Sequence, residues 1–166
     1  LAREPVDEIM LEHLAQNEDV ARIATAPDRV QLLWEVCQIP DFRNIHTDTH
    51  PRLLTSIYRY LAKPGSRLPI DWLGEQVLRL DRYDGDIDQL SSRLAGIRVW
   101  TYVSHKHHWL EDANHWQERT RAIEDKLSDV LHERLTQRFV DRRTSVLLKS
   151  LKDKSELMST ITANGE

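Results

Sequence analysis

The sequence predicts an all-α fold, an irregular array of about six to eight helices ending in a long helical tract. Apolar residues recur at spacings of three and four along most of the chain. The alternation and turn dipeptides of a sheet protein are missing. Glycine is scarce, with five residues, and the six prolines sit between the periodic segments.

Taken in order, Val6, Ile9, Met10 and Leu14 mark a first helix, with Pro5 where a helix start tolerates it. Thr25, followed three residues later by Asp28, resembles a capping box. It opens a helix with Val30, Leu33, Trp34 and Cys37 inward, stopped by Pro40. After the polar loop DFRNIHTD, Thr49 caps a helix carrying Leu54, Ile57, Tyr58 and Leu61, and KPGSRLP breaks it. Ile70, Leu73, Val77 and Leu80 form the next helix, ended by DRYDGD. From about Ile87 the stripe Leu90, Leu94, Ile97 and Thr101 runs on into IRVWTYVSHKHHWL (97–110). Asp112 to Leu151 is the longest tract, with Trp116, Ile123, Leu127, Leu131 and Leu135 inward and a break expected near Arg142 to Ser145. This divides the chain into an N-terminal helical subdomain (1–80), a long-helix subdomain packed on it (81–155) and a frayed tail (156–166).

Composition narrows the function classes. Apolar residues at 40% and charged residues at 30% describe a soluble globular chain. No run is long enough to span a bilayer, and LAREPVDEIM lacks the basic start and apolar core of a signal peptide. The single cysteine, Cys37, fits a reducing compartment, so the expected location is cytoplasmic. The net charge of −4 hides an asymmetry. Residues 1–30 hold three basic side chains against seven acidic ones, whereas residues 134–154 hold seven basic ones against Asp141 and Asp153.

Motif by motif, catalysis finds no support. His105, His107, His108, Asp112 and His115 cluster, and His108–Asp112 and Glu111–His115 have the spacing of ligands on one helical face. No cysteine pair or second copy completes a site, and Pro51 places a helix boundary at the His46–His50 pair. Histidines at a helix end are the better account, and no metal is expected. DGDID (84–88) imitates the start of a calcium loop, but Gln89 and Ala95 stand where glycine and glutamate belong. No phosphate-binding glycine loop and no GxSxG elbow occurs, and Cys37 lies on an apolar stripe.

The basic tract is the remaining clue. On a continuous helix Arg134, Arg138, Arg142, Lys149 and Lys152 fall within about a quarter turn, a row able to track a phosphate backbone. Against that stands a solvated face with internal pairs, since Arg138–Asp141, Lys149–Asp153 and Lys152–Glu156 have pairing distance along a helix. Arg134 and Arg142 have no such neighbour and stay free.

TAP (25–27), LLWEVCQIPDFR (32–43), LLTSIYRYLAKPGSRLPIDWL (53–73), WTYVSHK (100–106) and HWQERTRAIEDKL (115–127) together resemble a known family. They are similar to the C-terminal region of bacterial DExH-box helicases related to the mitochondrial degradasome RNA helicase, the suppressor-of-var family. The likeness covers residues 3–150. It implies a fragment of an ATP-dependent helicase, with no cofactor in this fragment, and with ATP and Mg in upstream RecA-like motor domains. It also implies packing on those domains and a share in the path of single-stranded RNA or DNA, with Lys106 added to the basic row as a nucleic-acid contact. Trp100, Tyr102 and Trp109 are then expected at an interdomain interface. The alternative is a protein-interaction module that docks the helicase to a nuclease or other partner without touching nucleic acid.

Overall fold

A computed structural model describes residues 6–43 and 48–163, and the described chain is helical as predicted. The helices are α1 (Val6–Ala15), α2 (Glu18–Ile23), α3 (Pro27–Cys37), α4 (Thr49–Leu61), α5 (Ile70–Leu80), α6 (Ile87–Ser104) and α7 (Ala113–Ala163). One 3-10 turn, His107–Trp109, joins the last two. His46 lies outside the described residues, so the His46–His50 pair has no structural account.

Local chemistry sets the helix ends. Asn17 opens α2, a short helix missed by apolar periodicity, by accepting hydrogen bonds from the backbone N–H groups of Asp19 and Val20. Thr25 does not cap α3. Ala26 holds the cap position in extended conformation and Pro27 occupies the first turn, where its missing N–H loses nothing. Likewise Asp48, without a side-chain bond, stands at the cap of α4, and Thr49 is its first helical residue. At α6 Asp86 accepts from the Gln89 N–H at 2.8 Å, and Gln89 Oε1 accepts from the Asp86 N–H at 2.9 Å. Each such cap is worth about 1 kcal/mol. Gly85 precedes it at φ +106°, and a Cβ there would collide with the Gln89 side chain that closes the box.

The buried stripes form one hydrophobic cluster running from Leu14 to Leu127. Leu54, Ile57, Tyr58 and Leu61 are its centre, and the Tyr58 hydroxyl donates to the Arg29 carbonyl at 2.8 Å, tying α4 to α3. The cluster crosses the expected boundary at residue 80: Trp72 of α5 meets Trp100 of α6 edge-on, with ring centroids 5.6 Å apart. Several inward assignments are corrected. Ile9, Val30, Ile70 and Leu135 are exposed, whereas Val36 and Ile39 are buried. On short helices a shift of one residue moves a side chain by about 100°, enough to carry it out of the core, and Leu135 lies beyond the point on α7 where the core ends.

The stretch 97–110 is not one helix. Helix α6 ends at Ser104, where the His105 and Lys106 N–H groups bond back to Tyr102 and Val103. The 3-10 turn follows, and Asp112 adopts a left-handed φ of 56° before α7 begins. The i,i+4 spacing of His108–Asp112 and Glu111–His115 therefore spans a chain reversal, not a helical face.

Helix α7 then returns along α6. Gln117 donates to the Ser104 carbonyl at 3.0 Å, Thr101 to Glu124 at 2.9 Å, and Arg134 to the Gly85 carbonyl at 2.6 Å, which makes the pair antiparallel. Trp116, Thr120, Ile123 and Leu127 face inward. Burial of each large apolar side chain contributes roughly 1.5–3 kcal/mol.

Two further expectations fail here. Helix α7 runs unbroken through Arg142–Ser145, and STITA (159–163) is helical instead of frayed. No proline or glycine occurs between Ala113 and Ala163, and Thr144 and Ser145 each cost only a few tenths of a kcal/mol in a helix. At 51 residues the helix is about 75 Å long. Every residue from His132 to Ala163 is exposed, so about 48 Å of it projects beyond the core.

Candidate nucleic-acid interface

The side of α7 that faces the core turns cationic where the core ends. At about 100° per residue, Arg134, Arg138, Arg142, Lys149 and Lys152 continue the direction of Trp116, Thr120, Ile123 and Leu127 within an arc of about 80°. The structure thus brings these five together as a row. Its first half borders an open cleft between the helix and the start of α6, with Asp86, Asp88 and Asp141 on the rim.

The members of the row differ in how free they are. Arg134, expected to be unengaged, donates from Nη1 to the Gly85 carbonyl and anchors the helix to the α5–α6 loop. A second arginine, Arg93, donates to the carbonyls of Arg82 and Asp84, so the same loop is held from two sides. Arg82 lies 3.1 Å from the Asp84 carboxylate and, with its hydrogen bond as the largest cause, holds that carboxyl below the usual range. Beyond Arg134 the picture changes. The pairs Arg138–Asp141, Lys149–Asp153 and Lys152–Glu156 do not close within 4 Å among the described residues, and Asp141 instead accepts from Gln137 at 2.9 Å. Arg138, Arg142, Lys149 and Lys152 therefore present four exposed cations over about 21 Å of helix.

Lys106 does not join them. It sits at the opposite end of α6, an 18-residue helix about 27 Å long, with its ammonium 5.7 Å from the ring centroids of both Tyr102 and Trp109. The aromatic residues expected at an interdomain interface are largely packed within this chain. Trp100 is buried against Trp72, and Trp109 is 1% exposed in the core, with Nε1 lacking a hydrogen-bond partner. Both rings fill space within this chain, and Trp100 also borders the cleft lined by His50, Leu53 and Arg79. Tyr102 is half-buried beneath Lys106.

The chain matches no family model, no curated protein and no solved structure.

The other titratable groups have local explanations. His105 bonds the Thr101 carbonyl at 2.8 Å, and His108 bonds Glu35 at 3.2 Å. Among the described residues no three His, Cys, Asp or Glu side chains are placed to hold a metal ion. Burial, with the charge of Asp7 adding to it, pushes the Cys37 thiol up to about 12, which keeps it protonated and unreactive at neutral pH. No described helix is long and apolar enough to cross a membrane.

One surface feature escaped the motif search. Val140, Leu147, Leu151, Met158 and Ile161 form an apolar arc on the opposite side of α7 from the basic row. The signal was their spacing of seven, four, seven and three, hidden by the expectation of a break and a frayed end.

Proposed function

We propose that this chain is an accessory helical region of a cytoplasmic ATP-dependent helicase, and that distal α7 guides a single nucleic-acid strand along its basic row. The observation that carries the reading is the row of four exposed, unpaired cations on a helix projecting from a fixed body. Guanidinium and ammonium groups along one helix face neutralise phosphates without reading bases, as a translocating motor requires. The likeness of LLWEVCQIPDFR and HWQERTRAIEDKL to helicase C-terminal regions supports the same assignment. In this reading the core docks on upstream motor domains that carry ATP and Mg, and this chain supplies no catalytic group. The apolar arc across the helix favours a second role, protein docking, that uses different residues.

Fluorescence anisotropy with a labelled single-stranded RNA tests the reading. Neutralising four phosphates implies that affinity falls about 50-fold between about 50 and about 200 mM salt. Replacing Arg138, Arg142, Lys149 and Lys152 together by alanine should abolish binding, with Arg134 kept because it anchors the helix. Absence of binding at low salt, or binding that survives the quadruple variant, refutes the strand path. A DNA strand of equal length, run in parallel, reports which nucleic acid is preferred.

A further inference from the structure

We propose that the apolar arc of distal α7 docks an amphipathic helix that carries carboxylates within its own apolar stripe. Val140, Thr144, Leu147, Leu151, Lys154, Met158 and Ile161 follow the alternating four–three spacing of a coiled-coil seam. The five apolar members span about 80° of helix surface, about 170° from the centre of the basic row. They are 48 to 59% exposed, and nothing in the described chain covers them.

Two cations lie inside this arc. Arg143 has Phe139, Val140, Val146 and Leu147 at three and four residues to either side, and Lys154 has Ser150, Leu151, Leu157 and Met158. Neither has a carboxylate at helical pairing distance, and neither forms an ion pair among the described residues. The Arg143 guanidinium rests over the Phe139 ring, 5.5 Å from its centroid. Anything that covers the arc must bury these two charges, and a buried charge without a counter-ion is strongly unfavourable. The occupant must therefore place anions opposite positions eleven residues apart, about 16 Å along the helix. A second helix with an apolar seam and two carboxylates at that separation satisfies both demands.

The same two cations argue against other occupants. A second copy paired parallel and in register would set Arg143 on Arg143 and Lys154 on Lys154. Paired antiparallel, with Leu147 against Leu151, it would bring Lys154 beside Thr144 and Arg143 of its mate. Either arrangement opposes like charges. A lipid surface fits poorly because cations should flank the apolar face at headgroup level. The flanks here hold Asp141, Leu148 and Ser155 on one side and Val146, Asp153 and Leu157 on the other, while the basic row points away.

The test is a synthetic helical peptide with a leucine heptad seam and two glutamates eleven residues apart within that seam. Its binding to the intact chain is followed by anisotropy. The chain should bind this peptide and discriminate against a glutamine-for-glutamate version. R143E/K154E should weaken binding roughly a hundredfold and accept a lysine-bearing peptide instead. Both positions are exposed, so unchanged tryptophan fluorescence checks that the body remains folded. Equal binding of the glutamate and glutamine peptides overturns the proposal. So does dimerisation at micromolar concentration that L147D/L151D removes, or binding to phosphatidylserine vesicles that the same variant removes. The quadruple basic-row variant should leave peptide binding unchanged, which separates this surface from the strand path.

Discussion

The two halves of α7 share one backbone conformation and almost nothing else. From Ala113 to Leu131 the helix is bound to α6, with Trp116, Ile123 and Leu127 in the core and Gln117 and Glu124 bonded across the interface. From His132 onward every side chain is exposed, including Leu147, Leu151 and Met158. The first half is helical because tertiary burial holds it. The second is helical because nothing in its sequence interrupts the ladder. Most helical stability in proteins comes from packing of an apolar face, and the second half lacks such packing within the described chain.

That contrast can be broken most directly by truncating one leucine in each half. Leu127→Ala removes a fully buried side chain and should destabilise the chain by about 2–5 kcal/mol in urea unfolding. Leu151→Ala should change stability by less than about 0.5 kcal/mol. Equal losses would mean that the distal half packs on the body after all.

Alkaline titration sharpens the same contrast from the body side. The unfolded Cys37 thiol ionises near pH 9, whereas the buried one holds its proton to about 12. The unfolded state therefore binds fewer protons in that window, and the sign of the linkage makes stability fall as pH rises, by up to about 1.4 kcal/mol per unit. Cys37→Ala should flatten that slope between pH 9 and 12, whatever its effect at neutral pH. An unchanged slope would show that the thiol is not buried in solution.

A smaller effect is expected at the junction. Arg134→Ala loses the bond to the Gly85 carbonyl and should cost about 0.5–1.5 kcal/mol, and Arg138→Ala should cost nothing measurable. Hydrogen exchange resolves the contrast residue by residue. Amides of residues 117–131 should exchange only on global unfolding, and those of residues 140–163 should exchange faster, through local opening that leaves the body folded. Uniform protection along α7 would contradict the division.

Fold class was legible because it depends on spacing. The Leu54–Ile57–Tyr58–Leu61 stripe and the start of α6 near Ile87 needed only periodicity and a turn before it. What escaped depends on chain reversals and on partners distant in sequence. Asp112 takes a left-handed φ that no local pattern announces, so 97–110 read as one helix. Trp100 and Trp109 have the composition of interface residues, and only the fold reveals that Trp72 and the core claim them. For the candidate interface, the basic row was visible as an arc of helix positions. The engagement of Arg134 was not, because its acceptor lies 49 residues upstream on the backbone of Gly85.

The attachment of Arg134 to Gly85 is also the last fixed point on α7. From there to Ala163 the helix extends about 44 Å without lateral support. Such a rod is a lever: a tilt of about 10° at the attachment displaces its tip by about 8 Å over that length. Movement of the small loop from Arg82 to Asp86 would thus be magnified at the far end of the molecule. A strand on one side of the rod and a partner helix on the other would share a single pivot.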